Sequence, residues 1–222
     1  MRFHAYIFDL DGTLLDTLPD LVRLTNMVLE QRGWPRRTTA EVLSFVGNGG
    51  RILLERAAPV GTSASELDAA FARWRELYPT YGHALTTPYD GIPEMLDCLK
   101  RDGAKLGVLS NKFDAAVRSV IGEHFPGVFD LVRGECEDVP RKPDPTGLLN
   151  MLRDLDVDPA DCAYIGDSQS DIETARAAGT FAIAVTWGYQ QPTGADQTIT
   201  CPSQLLPCFG ALPRTTPLWV WQ

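Results

Sequence analysis

The chain has 222 residues, 44% of them hydrophobic and 22% charged, and carries a formal net charge of −9 at pH 7. This is the composition of a globular protein with a sizeable core, which excludes a largely disordered chain, and the length predicts a main domain with a smaller appendage. The acidic field repels phosphate backbones and no basic run offsets it, so a small molecule is the expected partner rather than nucleic acid; an anionic ligand would need local cations or a metal.

In chain order, the first element is "AYIFDLD" from Ala5, a short and nearly continuous apolar run of the kind a strand covered on both faces requires. From Asp16 to about Thr86 only helical spacing follows. Leu18, Leu21, Val22, Thr25, Val28 and Leu29 recur at three and four, as do Leu67, Phe71, Trp74, Tyr78 and Tyr81. A connection between strand and helix usually takes about two to six residues. Residues 16–86 are therefore predicted to form a helical domain inserted after the first strand, with 1–15 and 87–222 forming the main one, and the aromatic stripe is expected to pack helix on helix.

Beyond the insertion, helix and strand alternate. Helical patterns cover Ile92 to Asp102 before Gly103, Ala115 to His124, Pro145 to Leu155, and Asp171 to Ala178 before Gly179. Strand-like runs are "KLGVLSN" from Lys105, a weaker one from Phe129 to Gly134, "CAYIGDS" from Cys162 and "FAIAVTW" from Phe181. The alternation predicts an α/β fold, a doubly wound parallel sheet with helices on both faces. No apolar run reaches the roughly 18 residues of a membrane span. Cys98, Cys136, Cys162, Cys201 and Cys208 are odd in number and scattered, which argues against a disulfide framework or a structural zinc site. A cytoplasmic protein with reduced thiols, no membrane partner, and a monomeric or homodimeric state is expected. From about Thr193 no motif is recognisable, and the tryptophans of "TTPLWVWQ" are expected to pack back on the core.

Ligands of an open parallel sheet bind outside the carboxyl ends of its strands. Those ends carry Asp9 and Asp11, Ser110 and Asn111, then Asp167, Ser168 and Asp171. Residues two apart in an extended segment face the same way, so Asp9 and Asp11 address one crevice despite their repulsion. Carboxylates converging without histidine or thiolate suit Mg²⁺, with Asp167 as the remote ligand and Asp171 either ligating through water or capping a helix. In "PRKPDP", a segment that two prolines are expected to hold extended, Lys142 is the cation for a phosphate drawn to that metal. Thr13, Ser110, Asn111 and nearby N–H groups offer donors to phosphoryl oxygens.

The order "DLDGT" (Asp9–Thr13), "SN" (Ser110, Asn111), Lys142 and "GDSQSD" (Gly166–Asp171) resembles the four motifs of the haloacid dehalogenase superfamily, from Tyr6 to about Gln191. The helical insertion resembles that family's α-helical cap. The resemblance to its phosphatase branch implies Asp9 as nucleophile forming an aspartyl phosphate, and Asp11 as general acid and then base. It also implies Mg²⁺ held by Asp9, the backbone carbonyl of Asp11, and Asp167. "SFVGNGGRILLERA" (Ser44–Ala57) is similar to the cap segment of phosphoglycolate phosphatases, which makes 2-phosphoglycolate the first expected substrate and Arg51 a contact for its carboxylate. Two alternatives use related residues: a sugar phosphomutase of the β-phosphoglucomutase type, and a phospho-aspartate signalling module, against which the long helical insertion argues.

Overall fold

The computed structural model describes residues 3–206; the C-terminal "TTPLWVWQ" and Cys208 lie outside them. The chain runs β1 (Ala5–Phe8), β2 (Leu15–Asp16), α1 (Leu18–Gln31), α2 (Thr39–Phe45), α3 (Gly50–Ala57), α4 (Ala64–Tyr81), β3 (Thr87–Pro88) and α5 (Ile92–Arg101). It continues through β4 (Lys105–Phe113), α6 (Asp114–His124), β5 (Leu131–Glu135), α7 (Thr146–Leu155), β6 (Cys162–Gly166), α8 (Gln169–Ala178), β7 (Phe181–Val185) and β8 (Gln197–Ile199).

Six strands form one parallel sheet in the order β5-β4-β1-β6-β7-β8. Strand β1 reads as unbroken apolar sequence because both of its faces are covered. Tyr6 and Phe8 join Ile92, Leu96, Val117 and Val120 beneath α5 and α6, while Ala5 and Ile7 join Leu148, Met151, Ile172 and Ala175 beneath α7 and α8. Each large apolar side chain so buried contributes about 1.5–3 kcal/mol. The neighbours of β1 are β4 on one side and β6 on the other, so its carboxyl end opens at the point where strand order reverses.

The edge strands are where the sequence reading falls short. Strand β5 is half-buried along its length, and β8, which no apolar run announces, has two of its three residues exposed. An edge strand has fewer neighbours to bury, so it keeps fewer apolar residues.

The four helices α1–α4 share a cluster of Leu21, Leu24, Val28, Val42, Leu53, Leu54 and Trp74, apart from the two sheet clusters. Capping boxes start α2 (Thr38 with Glu41) and α4 (Ser63 with Glu66), satisfying N–H groups that would otherwise lack partners. Strands β2 and β3 pair antiparallel, Leu15 with Pro88 and Asp16 with Thr87, so the chain leaves the sheet layer and re-enters it side by side. The aromatic stripe of α4 does more than pack helix on helix. Trp74 and Tyr78 also meet Phe113 at the end of β4 edge-to-face, with ring centroids 5.7 and 5.1 Å apart. Among the described residues no helix is long and apolar enough to cross a membrane, and Cys98, Cys136, Cys162 and Cys201 are free.

Candidate active site

Strand β1 ends at Phe8, and the Asp9 N–H continues its ladder to the Ile165 carbonyl at 2.8 Å. The chain then curls: Thr13, Leu14 and Leu15 all donate backbone N–H groups to the Leu10 carbonyl. Gly12 sits in this curl at φ 82°, where a Cβ would collide with the Asp167 carboxylate, so only glycine lets the first and fourth motifs approach this closely.

Lys142 is the buried cation of the site. Its ammonium lies 2.8 Å from Asp9 Oδ1 and donates to Asp171 Oδ1 at 2.6 Å. The segment around it is a turn rather than the expected extended run, with the Lys142–Pro143 bond cis and Asp144 N–H donating to the Arg141 carbonyl. Asn111 holds this turn in place: its Oδ1 accepts from Lys142 N–H and its Nδ2 donates to the Lys142 carbonyl. Asp171 is fully buried at the third position of α8. Its Oδ2 accepts from the N–H and hydroxyl of Ser168 in a capping box, while Tyr164 and Lys142 donate to Oδ1. Both of its oxygens are thus engaged.

Asp167 accepts the Tyr189 N–H at 2.6 Å and the Thr13 hydroxyl at 3.4 Å. Thr13 itself is fully buried and supports Asp167 instead of lining the cavity. Two residues that the sequence reading passed over hold Asp11: the Thr17 hydroxyl donates to Oδ1 at 2.6 Å, and the Lys112 ammonium to the same oxygen at 2.8 Å. Lys112 is buried beneath the ring of Tyr78, 5.4 Å from its centroid, so one lysine touches both the core carboxylate and the helical layer. A lysine in "VLSNKF", directly after the strand-end Ser110 and Asn111 and before an aromatic, is the available signal.

Asp9, Asp11, Ser110, Asn111, Lys142 and Asp167 all line one cavity of about 40 Å³. Ser110 Oγ accepts the Lys112 N–H at 3.3 Å. The helical layer closes the cavity with Leu21, Val46, Leu53, Trp74 and the Gly47–Gly50 turn. Its contact with the core is direct: Asn111 Nδ2 donates to the Gly47 carbonyl at 3.1 Å, and Arg141 reaches the Asn48 carbonyl. Arg51 is not in that wall. Its guanidinium pairs with Asp68 at 2.8 Å and with Glu55 one turn along α3 at 3.3 Å.

Burial pushes the Asp9 carboxyl up to about 7; the Lys142 charge opposes this, and those of Asp171 and Asp11 add to it. Burial likewise raises Asp167 to about 8, assisted by the charges of Asp9 and Asp171. Burial disfavours the Lys142 ammonium, but Asp171 and Asp9 outweigh it and hold the group well above the usual lysine range. Asp9, Asp167 and Asp171 each offer an oxygen within 4.8 Å of the others, and the buried Asp9 Oδ1 has no hydrogen-bond partner despite its ion pair. Hard oxygen donors carrying this much unrelieved charge fit a divalent cation.

The raised values make a pH prediction. An unfolded aspartate titrates near about 3.9. The stability these two groups contribute is therefore complete below about pH 4 and lost as pH rises through about 7 and 8. A cation competes with those protons, so the rise in Tm when MgCl2 is added to chelator-treated protein should be larger at about pH 8 than at about pH 5.5. An equal rise at both would contradict this assignment.

The haloacid dehalogenase-like hydrolase family matches residues 6–185. Phosphoglycolate phosphatase 1 of Pseudomonas aeruginosa is 35% identical over 189 residues, 82% of this chain and 69% of the relative. N-acetylmuramic acid 6-phosphate phosphatase of the same organism is 35% identical over 217 residues, 93% of this chain and 94% of the relative. Among solved structures, a predicted phosphoglycolate phosphatase from Haemophilus somnus superposes with a TM-score of 0.86 at 26% identity, covering 92% of this chain and 97% of that one. With a match over most of its length and relatives at this identity, the chain belongs to the haloacid dehalogenase-like hydrolases, on their phosphatase branch.

Proposed function

We propose that this phosphatase hydrolyses a small phosphorylated metabolite, with 2-phosphoglycolate the first choice, through a phosphoryl group carried on Asp9 and with Mg²⁺ as its metal. The observation that carries the reading is the grouping of Asp9, Asp11, Lys142 and Asp167 around one cavity. An Asp9 oxygen attacks phosphorus as the bond to the leaving oxygen breaks, and Asp11 gives that oxygen a proton. Asp11, now ionised, takes a proton from the water that releases phosphate from Asp9. Lys142 balances the negative charge beside Asp9, while Ser110 and Asn111 orient the phosphoryl oxygens. Asp9 and Asp167 would hold Mg²⁺, with the Asp11 carbonyl as the resemblance implies and Asp171 acting through its neighbours; when bound, the ion neutralises phosphate oxygens.

Residues 16–86 act as a cap in this account, and closure excludes water from the phosphoryl group. The cavity between cap and core has room for roughly three waters, which favours a small substrate. A sugar phosphate requires the cap to open further. The relative that acts on N-acetylmuramic acid 6-phosphate aligns over nearly its whole length, so that ester belongs beside 2-phosphoglycolate in the deciding experiment. That experiment is a phosphate-release screen over phosphorylated acids and sugars. Preference for a small acid ester supports the reading; preference for a bulky sugar ester overturns its substrate.

The arrangement also changes what is expected of Arg51. Its pairing with Asp68 and Glu55 predicts that Arg51→Ala changes KM for 2-phosphoglycolate by less than about twofold, as for other solvent-screened pairs. A KM raised tenfold or more would return Arg51 to the substrate.

A further inference from the structure

Helix α1 begins in an unusual way. A threonine at a helix N-cap ordinarily accepts a backbone N–H from the first turn. Thr17 holds this position at φ −98°, ψ −5° but makes no side-chain cap bond; its hydroxyl donates to Asp11 instead. The first N–H groups of a helix still need partners. Tyr189, from the loop after β7, supplies one. Its phenolic oxygen accepts the N–H of Thr17 at 2.7 Å and of Leu18 at 2.9 Å, and donates to Asp16 Oδ1 at 2.8 Å. Pro19 has no N–H to satisfy.

The same residue reaches the metal-side carboxylates through its main chain, since its N–H donates to Asp167 Oδ2. Tyr189 therefore joins the fourth motif to the linker by which the chain leaves for the helical layer. Thr17 and Lys112 both take Asp11 Oδ1, and Oδ2 has no protein partner among the described residues. That is the oxygen free to carry a proton to a leaving group.

We propose that Tyr189 is a positioning residue for phosphoryl transfer: its hydroxyl caps α1 in place of Thr17, which keeps the Thr17 hydroxyl on Asp11 and fixes the carboxyl for protonation of the leaving oxygen. The inference rests on the roles given above to Asp9 and Asp11. In the step it affects, the Asp9 O–P bond forms, the bond from phosphorus to the leaving oxygen breaks, and the Asp11 proton moves to that oxygen.

The test uses Tyr189→Phe, which retains the ring and the N–H to Asp167, and compares kcat/KM for phenyl phosphate with that for p-nitrophenyl phosphate. The nitrophenolate leaves readily without a proton and the phenolate does not. Tyr189→Phe is expected to lower the phenyl-to-nitrophenyl ratio by about tenfold, within the span of general-acid contributions. Thr17→Val should do the same, Thr17→Ser should keep the ratio, and the Tyr189→Phe/Thr17→Val double variant should fall no further than either single one. Amide exchange at Thr17 and Leu18 should accelerate in Tyr189→Phe, a readout independent of turnover. Equal loss on both substrates, or an unchanged ratio, overturns the proposal. A ratio lowered by Thr17→Val and not by Tyr189→Phe overturns the part given to Tyr189. Failure of the underlying reading looks different: Asp9→Asn would then hydrolyse both substrates as well as the unmodified protein.

Discussion

Asp9→Asn should lose turnover by about 10⁴-fold or more on every phosphate ester while remaining folded, because an amide fills the same volume but cannot form the bond to phosphorus. Removing this carboxyl also relieves the charge that burial, Asp171 and Asp11 disfavour at Asp9. The metal-free variant is accordingly expected to melt no lower than the unmodified protein above about pH 7. Loss of activity without loss of stability separates a reacting group from a structural one. Phosphate release by Asp9→Asn, measured under conditions that exclude contaminating phosphatase, would assign the nucleophile elsewhere.

The second large effect is on stability. Lys142→Met leaves Asp9 and Asp171 without the ammonium that stands 2.8 and 2.6 Å from them, in a site where the Asp171 side chain is fully buried. Breaking a buried pair by removing one partner costs about 3–5 kcal/mol. The cost should grow with pH, since a protonated Asp9 needs no cation and an ionised one does. Chemical denaturation at about pH 6 and about pH 8 checks this. The Lys142→Met/Asp171→Asn double variant should regain much of the stability and none of the activity, because it removes an unpaired charge without restoring the cation beside Asp9. A double variant no more stable than Lys142→Met would mean that Lys142 contributes through packing.

The core of the site could be read before folding because a parallel sheet brings its strand ends together. Asp9, Ser110 and Asp167 each follow an apolar run and converge without any special contact. Charge balance and the two flanking prolines point to Lys142, but the turn and the Asn111 clamp that aim it depend on long-range bonds. The residues that hold Asp11 were hidden for a similar reason. Thr17 sits at a helix start, where local rules assign it to capping, and Tyr189 lies 172 residues away in a loop with no pattern of its own. Arg51 is the opposite case: the residue type suits a carboxylate, but Glu55, four residues on along the same helix, is a visible competitor for it. The stripe on α4 signalled burial, and periodicity cannot say against what; Trp74 and Tyr78 face the end of β4 as well as the other helices.

The most direct measurement is the mass of the peptide carrying Asp9 after rapid acid quenching of the enzyme in the presence of Mg²⁺ and excess substrate. The account predicts a gain of one phosphoryl group on that peptide, located at Asp9, appearing within the first turnover and absent from Asp9→Asn. An enzyme that turns over substrate with Asp9 unmodified, or with the phosphoryl group on another residue, would contradict it.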